Sequence, residues 1–158
     1  MTTTTRITLF FSVIALAACG GGPQSDVTSV PGRGAIAVQV DPNPIRATHV
    51  SGETYDFPFH VVVRETGGRP VNVTRVSATV HGPAGLTFAR ESWDAERIRS
   101  MGYSTTVGPN GELRYRFAPR KEVPDERLFG GVSAQLTVDA ADDTGTPTSA
   151  STVVTITR

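Results

Sequence analysis

From Ile36 onward apolar side chains recur at every second position, and that period confines most of the chain to sheets. Ile36, Val38 and Val40 alternate with Ala37 and Gln39, and Tyr55, Phe57, Phe59, Val61 and Val63 alternate with Asp56, Pro58, His60, Val62 and Arg64. Leu113, Tyr115 and Phe117 interleave with Glu112, Arg114 and Arg116. Val132, Ala134, Leu136 and Val138 do so with Ser133, Gln135, Thr137 and Asp139, and Val154 and Ile156 with Val153, Thr155 and Thr157. Successive side chains of a strand point to opposite faces, so each run offers one apolar face, as an antiparallel sheet with one solvated side requires. Between Val71 and Val80 the apolar parity changes after Val73 and resumes at Val76, which predicts a bulge at Thr74-Arg75.

Turn sequences separate these runs: Asp41-Pro42-Asn43-Pro44, Thr66-Gly67-Gly68-Arg69-Pro70, His81-Gly82-Pro83-Ala84-Gly85, Gly108-Pro109-Asn110-Gly111 and Asp142-Asp143-Thr144-Gly145. With a short strand at Leu86-Thr87-Phe88, about seven strands result, a number and spacing that predict an all-β antiparallel sandwich. Ser92 to Met101 departs from the pattern. A capping serine, acids in the first turn, a glycine stop and Ala95, Ile98 and Met101 on one stripe predict a short helix across one end of the sandwich. Trp93, the single tryptophan, is either buried against the sheet edge or an exposed platform for a sugar or peptide; burial is the ordinary case.

The N-terminus carries an address. Arg6 is the one charge before Asp26, and Ile7 to Ala18 is apolar apart from Thr8 and Ser12. A membrane-spanning helix needs roughly 20 apolar residues, so this run is too short to span and has the make-up of a secretory signal. It ends in Leu16-Ala17-Ala18-Cys19, and Cys19 is the only cysteine. The tetrapeptide resembles the lipobox of bacterial lipoproteins. That resemblance implies cleavage before Cys19, removal of residues 1–18 and a diacylglycerol on the Cys19 sulfur. It also implies anchoring to the cell envelope, at the outer membrane of a diderm facing periplasm or surface, because Gly20 follows the cysteine. Residues 19–34, rich in glycine and small polar side chains, read as a flexible linker with an end-to-end distance of roughly 20 Å. Residues 35–158 form the domain.

The strand pattern is similar to immunoglobulin-like and fibronectin-III-like domains of bacterial surface proteins. The likeness is architectural, and it departs from antibody domains in lacking two core cysteines with a tryptophan between them. It carries over no function. Fifteen basic side chains balance fifteen acidic ones, which excludes the basic footprint of a nucleic-acid binder, and no nucleic-acid partner is expected.

Few side chains fall into patterns that carry chemistry. His49, His60 and His81 have no zinc-ligand spacing, and solvated histidines are the better reading. Asp143-Thr144-Gly145 spells the aspartic-protease tripeptide but lacks a second copy, and a hairpin turn demands the same residues. Asp139, Asp142 and Asp143 lack the spacing of a calcium loop. No catalytic residue, metal site or cofactor is therefore assigned. Arg114, Arg116, Arg120 and Lys121 form the one basic concentration, a candidate patch for an anionic glycan or headgroup. Strand parity puts the Asp41 to Ser51 turn at the end remote from the linker, which makes Ile45, Arg46 and His49 the preferred partner contact. The expected function is a membrane-anchored, non-enzymatic envelope module that binds a protein or glycan partner or serves in assembly. The alternatives are an envelope-polymer hydrolase, marked by a cleft with paired carboxylates or a Ser-His pair, and a glycan-binding module.

Overall fold

A computed structural model describes residues 32–158. The expected signal peptide, Cys19 and nearly all of the expected linker lie outside the described residues. In chain order the strands are β1 (Ile36–Asp41), β2 (Ile45–Arg46), β3 (Thr48–Ser51), β4 (Thr54–Asp56), β5 (Phe59–Glu65), β6 (Val71–His81) and β7 (Thr87–Asp94). After helix α1 (Ala95–Ser100) follow β8 (Thr106–Val107), β9 (Glu112–Phe117), β10 (Arg120–Glu122), β11 (Ser133–Asp142) and β12 (Pro147–Thr157). Single 3-10 turns cover Pro83–Gly85 and Glu126–Phe129.

The all-β sandwich expected from the alternation is present. Its long strands are β1, β5, β6, β7, β9, β11 and β12, and the other five are short additions. One sheet has the order β1-β5-β9, and the larger sheet runs β2-β12-β11-β6-β7 with β8 beside β6. A small third sheet has the order β10-β4-β3. β2 runs parallel to β12, the one departure from a wholly antiparallel arrangement among the described pairings. Inward residues of both large sheets form one core, in which Val61, Val63, Val76, Leu136 and Val138 are fully buried. Each such side chain contributes about 1.5–3 kcal/mol. The expected bulge is at Thr74: Arg75 pairs with Asp139 and Val73 with Ala140, so Thr74 is the extra residue. Its hydroxyl donates to the Asp139 carbonyl at 3.0 Å.

Three local expectations change. The run from Tyr55 to Val63 is two strands, because Pro58 offers no N–H to a ladder. β4 leaves for the small sheet, where Lys121 pairs with Tyr55, while β5 stays in the sandwich. The strand expected at Leu86 to Phe88 extends to Asp94 and takes up Ser92, which pairs with Ser77. The helix is therefore shorter than Ser92 to Met101, and its cap is Asp94, whose carboxylate accepts from the Arg97 N–H at 2.8 Å. Ile98 alone of the expected stripe is buried; Met101 is exposed.

The two ends of the sandwich differ in composition. At the end where the chain enters, the Thr66 N–H donates to the Ala35 carbonyl, and Gly67 lies so close that a Cβ there would stand 1.9 Å from the Arg33 carbonyl oxygen. Strand direction puts the turn at 41–45, the turn at 81–86 and the segment 118–131 at the far end, as expected for Asp41.

Candidate functional site

An apolar groove of about 440 Å³ opens at the far end. Its floor includes Ile45, Phe59, Trp93, Val132, Leu136 and Ile156, and its walls include Phe57, Phe88, Leu128 and Phe129. Phe59 and Trp93 face inward from β5 and β7 by strand parity, and the Trp93 and Phe117 rings stand 4.2 Å apart at their centroids. One bank is β7, the edge of the larger sheet, and the other is β10, the edge of the small sheet. A single described ion pair, Lys121 Nζ to Glu91 Oε2 at 2.7 Å, spans from bank to bank. Phe88 is 46% exposed, Leu128 37% and nearby Leu86 64%, so apolar surface continues out of the groove. The Phe88 ring lies over Gly82, where a Cβ would push it aside. Sequence reasoning missed the groove, because Phe57, Phe88 and Leu128 belong to separate segments that only the sheet order brings together.

The entry end is held by two carboxylates. Glu65 is buried on the inward parity of β5 and accepts backbone N–H groups of Gly67 (2.6 Å), Asn110 (2.8 Å), Gly68 (2.9 Å) and Ala35 (3.4 Å). Burial pushes its carboxyl up, but the N–H groups of Asn110, Gly67, Gly68 and Ala35 outweigh burial and hold it below the usual range. Asp142 accepts from the Thr144 hydroxyl and N–H, the Thr146 N–H (2.9 Å) and the Gly34 N–H (3.2 Å). The Thr144 hydroxyl leads in holding the Asp142 carboxyl far below its ordinary value, against the effect of burial. Asp143-Thr144-Gly145 is thus a turn, with Gly145 at φ +84°. Asp143 and Asp139 pair with Arg69 and Arg75, so the three aspartates do not converge on an ion.

Both carboxyls are depressed in the folded state, so their stabilisation is complete above the unfolded value near pH 4 and is lost as pH falls through the folded one. Stability measured by urea titration should fall steeply below about pH 4. Glu65→Gln with Asp142→Asn should flatten that acid limb; an unchanged limb would mean that other groups govern it.

The residues singled out from sequence are redistributed. Ile45 is 2% exposed and paired to Ile156 in β2, so it belongs to the groove floor and not to an exposed contact surface. Arg46 is exposed. His49 is exposed in β3, with Nε2 2.9 Å from the Gly52 carbonyl oxygen and its ring edge-on to Tyr55. The basic concentration does not act as one patch. Arg114 pairs with Asp41, Arg120 makes a two-pronged contact with Asp56 at 2.7 and 2.9 Å, and Lys121 pairs with Glu91. Arg116 alone of the four has no ion pair among the described residues. Trp93 is 4% exposed, which removes it as an open stacking platform.

The fold and groove define a small all-β sandwich domain with an apolar recess at one end. No protein-family model matches the chain, and no curated protein matches it. Among solved structures, the Northeast Structural Genomics Consortium target SoR45 superposes with a TM-score of 0.52 at 11% identity, over 81% of this chain and 90% of that one. The putative ApaA protein of Bordetella pertussis superposes with a TM-score of 0.51 at 15% identity, over 82% of this chain and 98% of that one. At such identities the likeness is one of fold.

Proposed function

We propose that this chain is a lipid-anchored, non-enzymatic module of the bacterial envelope that holds a partner protein by taking an extended segment of it into the far-end groove. One observation carries this reading: an apolar floor lies between two strands, β7 and β10, that are each the edge of a sheet. An edge strand presents a row of N–H and C=O groups that a further strand can pair with, and alternate side chains of that strand would point into the floor. The rim supports the same occupant. Arg90 on β7 and Glu122 on β10 line the groove, and neither is in an ion pair among the described residues. An incoming segment thus meets opposite charges on opposite banks, which sets its register and direction. A sugar would leave both strand edges unpaired.

The anchor part of the proposal rests on Leu16-Ala17-Ala18-Cys19. Several acyl chains on one cysteine, at about 0.8 kcal/mol per buried methylene, give lasting attachment. With the linker joined at the entry end, the groove faces away from that attachment. Cys19→Ser is expected to move the protein from the membrane fraction to the soluble one, and mass spectrometry of the wild-type mature N-terminus should find a diacylated Cys19. Cleavage elsewhere with an unmodified thiol would refute the anchor.

A further inference from the structure

We infer that a second site, on the outer face of the sandwich and independent of the groove, binds a phosphate-type anion between Arg46, His60 and Arg116. These three line one depression of about 340 Å³ together with Thr48, Pro42 and Pro58. His60 and Arg116 are directly paired positions of β5 and β9, so their side chains leave the sheet next to each other on the solvent face. Arg46 reaches the same depression from β2, and the Thr48 hydroxyl adds a donor.

The surroundings are neutralised while this point is not. On the same face Arg64 is paired with Glu112 at 2.7 Å and Arg114 with Asp41. Asp41 is the cross-strand partner of His60 from the other side, and Arg114 already occupies its carboxylate. Neither Arg46 nor Arg116 has an ion pair among the described residues, and no carboxylate of those residues lines the depression. Two guanidinium groups that share one depression with no counter-charge repel one another, and an anion between them removes that cost. Guanidinium forks match the oxygens of a phosphate group, with the imidazole N–H and the hydroxyl as further donors. Pro42 and Pro58 give two rigid walls, which lowers the ordering cost of binding. The chemistry is that of a tetrahedral oxyanion, from a free phosphate or a phospholipid headgroup.

Two titrations of the full chain test this and separate the sources. In the first, inorganic phosphate is added at constant ionic strength while NMR follows the arginine Nε–H and histidine ring signals. Saturable shifts are expected at Arg46, Arg116 and His60. Arg46→Gln with Arg116→Gln should weaken binding at least about tenfold, whereas Arg75→Gln, at an ion pair of the larger sheet, should leave it within about twofold. In the second, the immobilised chain meets phosphatidylcholine vesicles with and without phosphatidylglycerol. Extra retention of the anionic vesicles that the double variant loses assigns the site to headgroups; retention indifferent to the double variant assigns it to free phosphate. Shifts that do not saturate, or that persist in the double variant, together with vesicle retention it does not alter, would overturn the site.

Discussion

Glu65→Ala is expected to lower unfolding stability by roughly 3–5 kcal/mol, the largest single loss foreseen for this domain. The side chain is 1% exposed, and its two oxygens gather N–H groups from the chain entry, the turn after β5 and the turn before β9. Hydrogen bonds to a charged group contribute about 1.5–3 kcal/mol each, and water entering the shortened site would recover part of the sum. Glu65→Gln keeps the shape and an acceptor, so about half the loss is expected. Urea denaturation at pH 7 checks both. A loss below about 1 kcal/mol for the alanine variant would show that the turns satisfy their own donors.

Phe88→Asp combined with Leu128→Asp is expected to abolish partner capture through the groove while leaving the fold intact. Both residues stand at the opening and are partly exposed, so the change costs little burial, and the core contacts of Phe59, Trp93 and Phe117 remain. Two carboxylates at an apolar entrance must be desolvated when a segment enters, which would weaken binding at least about a hundredfold. Unchanged circular dichroism and melting temperature would accompany that loss. Capture at wild-type strength in this variant would place the contact elsewhere.

Much of the fold was legible because a two-residue period has one structural meaning when one face must be buried. The register break after Val73 even located the bulge to Thr74-Arg75, where the pairing leaves Thr74 as the extra residue. What could not be read was set by competition between neighbours. Pro58 splits a run whose hydrophobic pattern is continuous, and Ser92 lost the cap to Asp94 because β6 offered it a pairing position opposite Ser77. The candidate contacts were half legible for a similar reason. Strand parity placed the Asp41 turn correctly at the far end, yet parity says nothing about β2, where pairing with β12 turns Ile45 inward and Arg46 outward. The basic side chains looked like a group in sequence, and only the ion-pair partners Asp41, Asp56 and Glu91 show that Arg116 stands apart. The groove left no sequence signature, since its banks are joined by topology and not by spacing.

Site-specific photocrosslinking in living cells reads the partner contact most directly, with the reactive side chain placed in turn at Arg90, at Glu122 and at Val153. Arg90 and Glu122 stand on the two banks, and Val153 is exposed on β12, away from them. Capture of an extended segment in the groove requires that positions 90 and 122 both link to one short segment of a single polypeptide, with apolar residues at alternate positions, and that position 153 does not. Links from the two banks to lipid, to unrelated proteins, or equally from position 153 would contradict it.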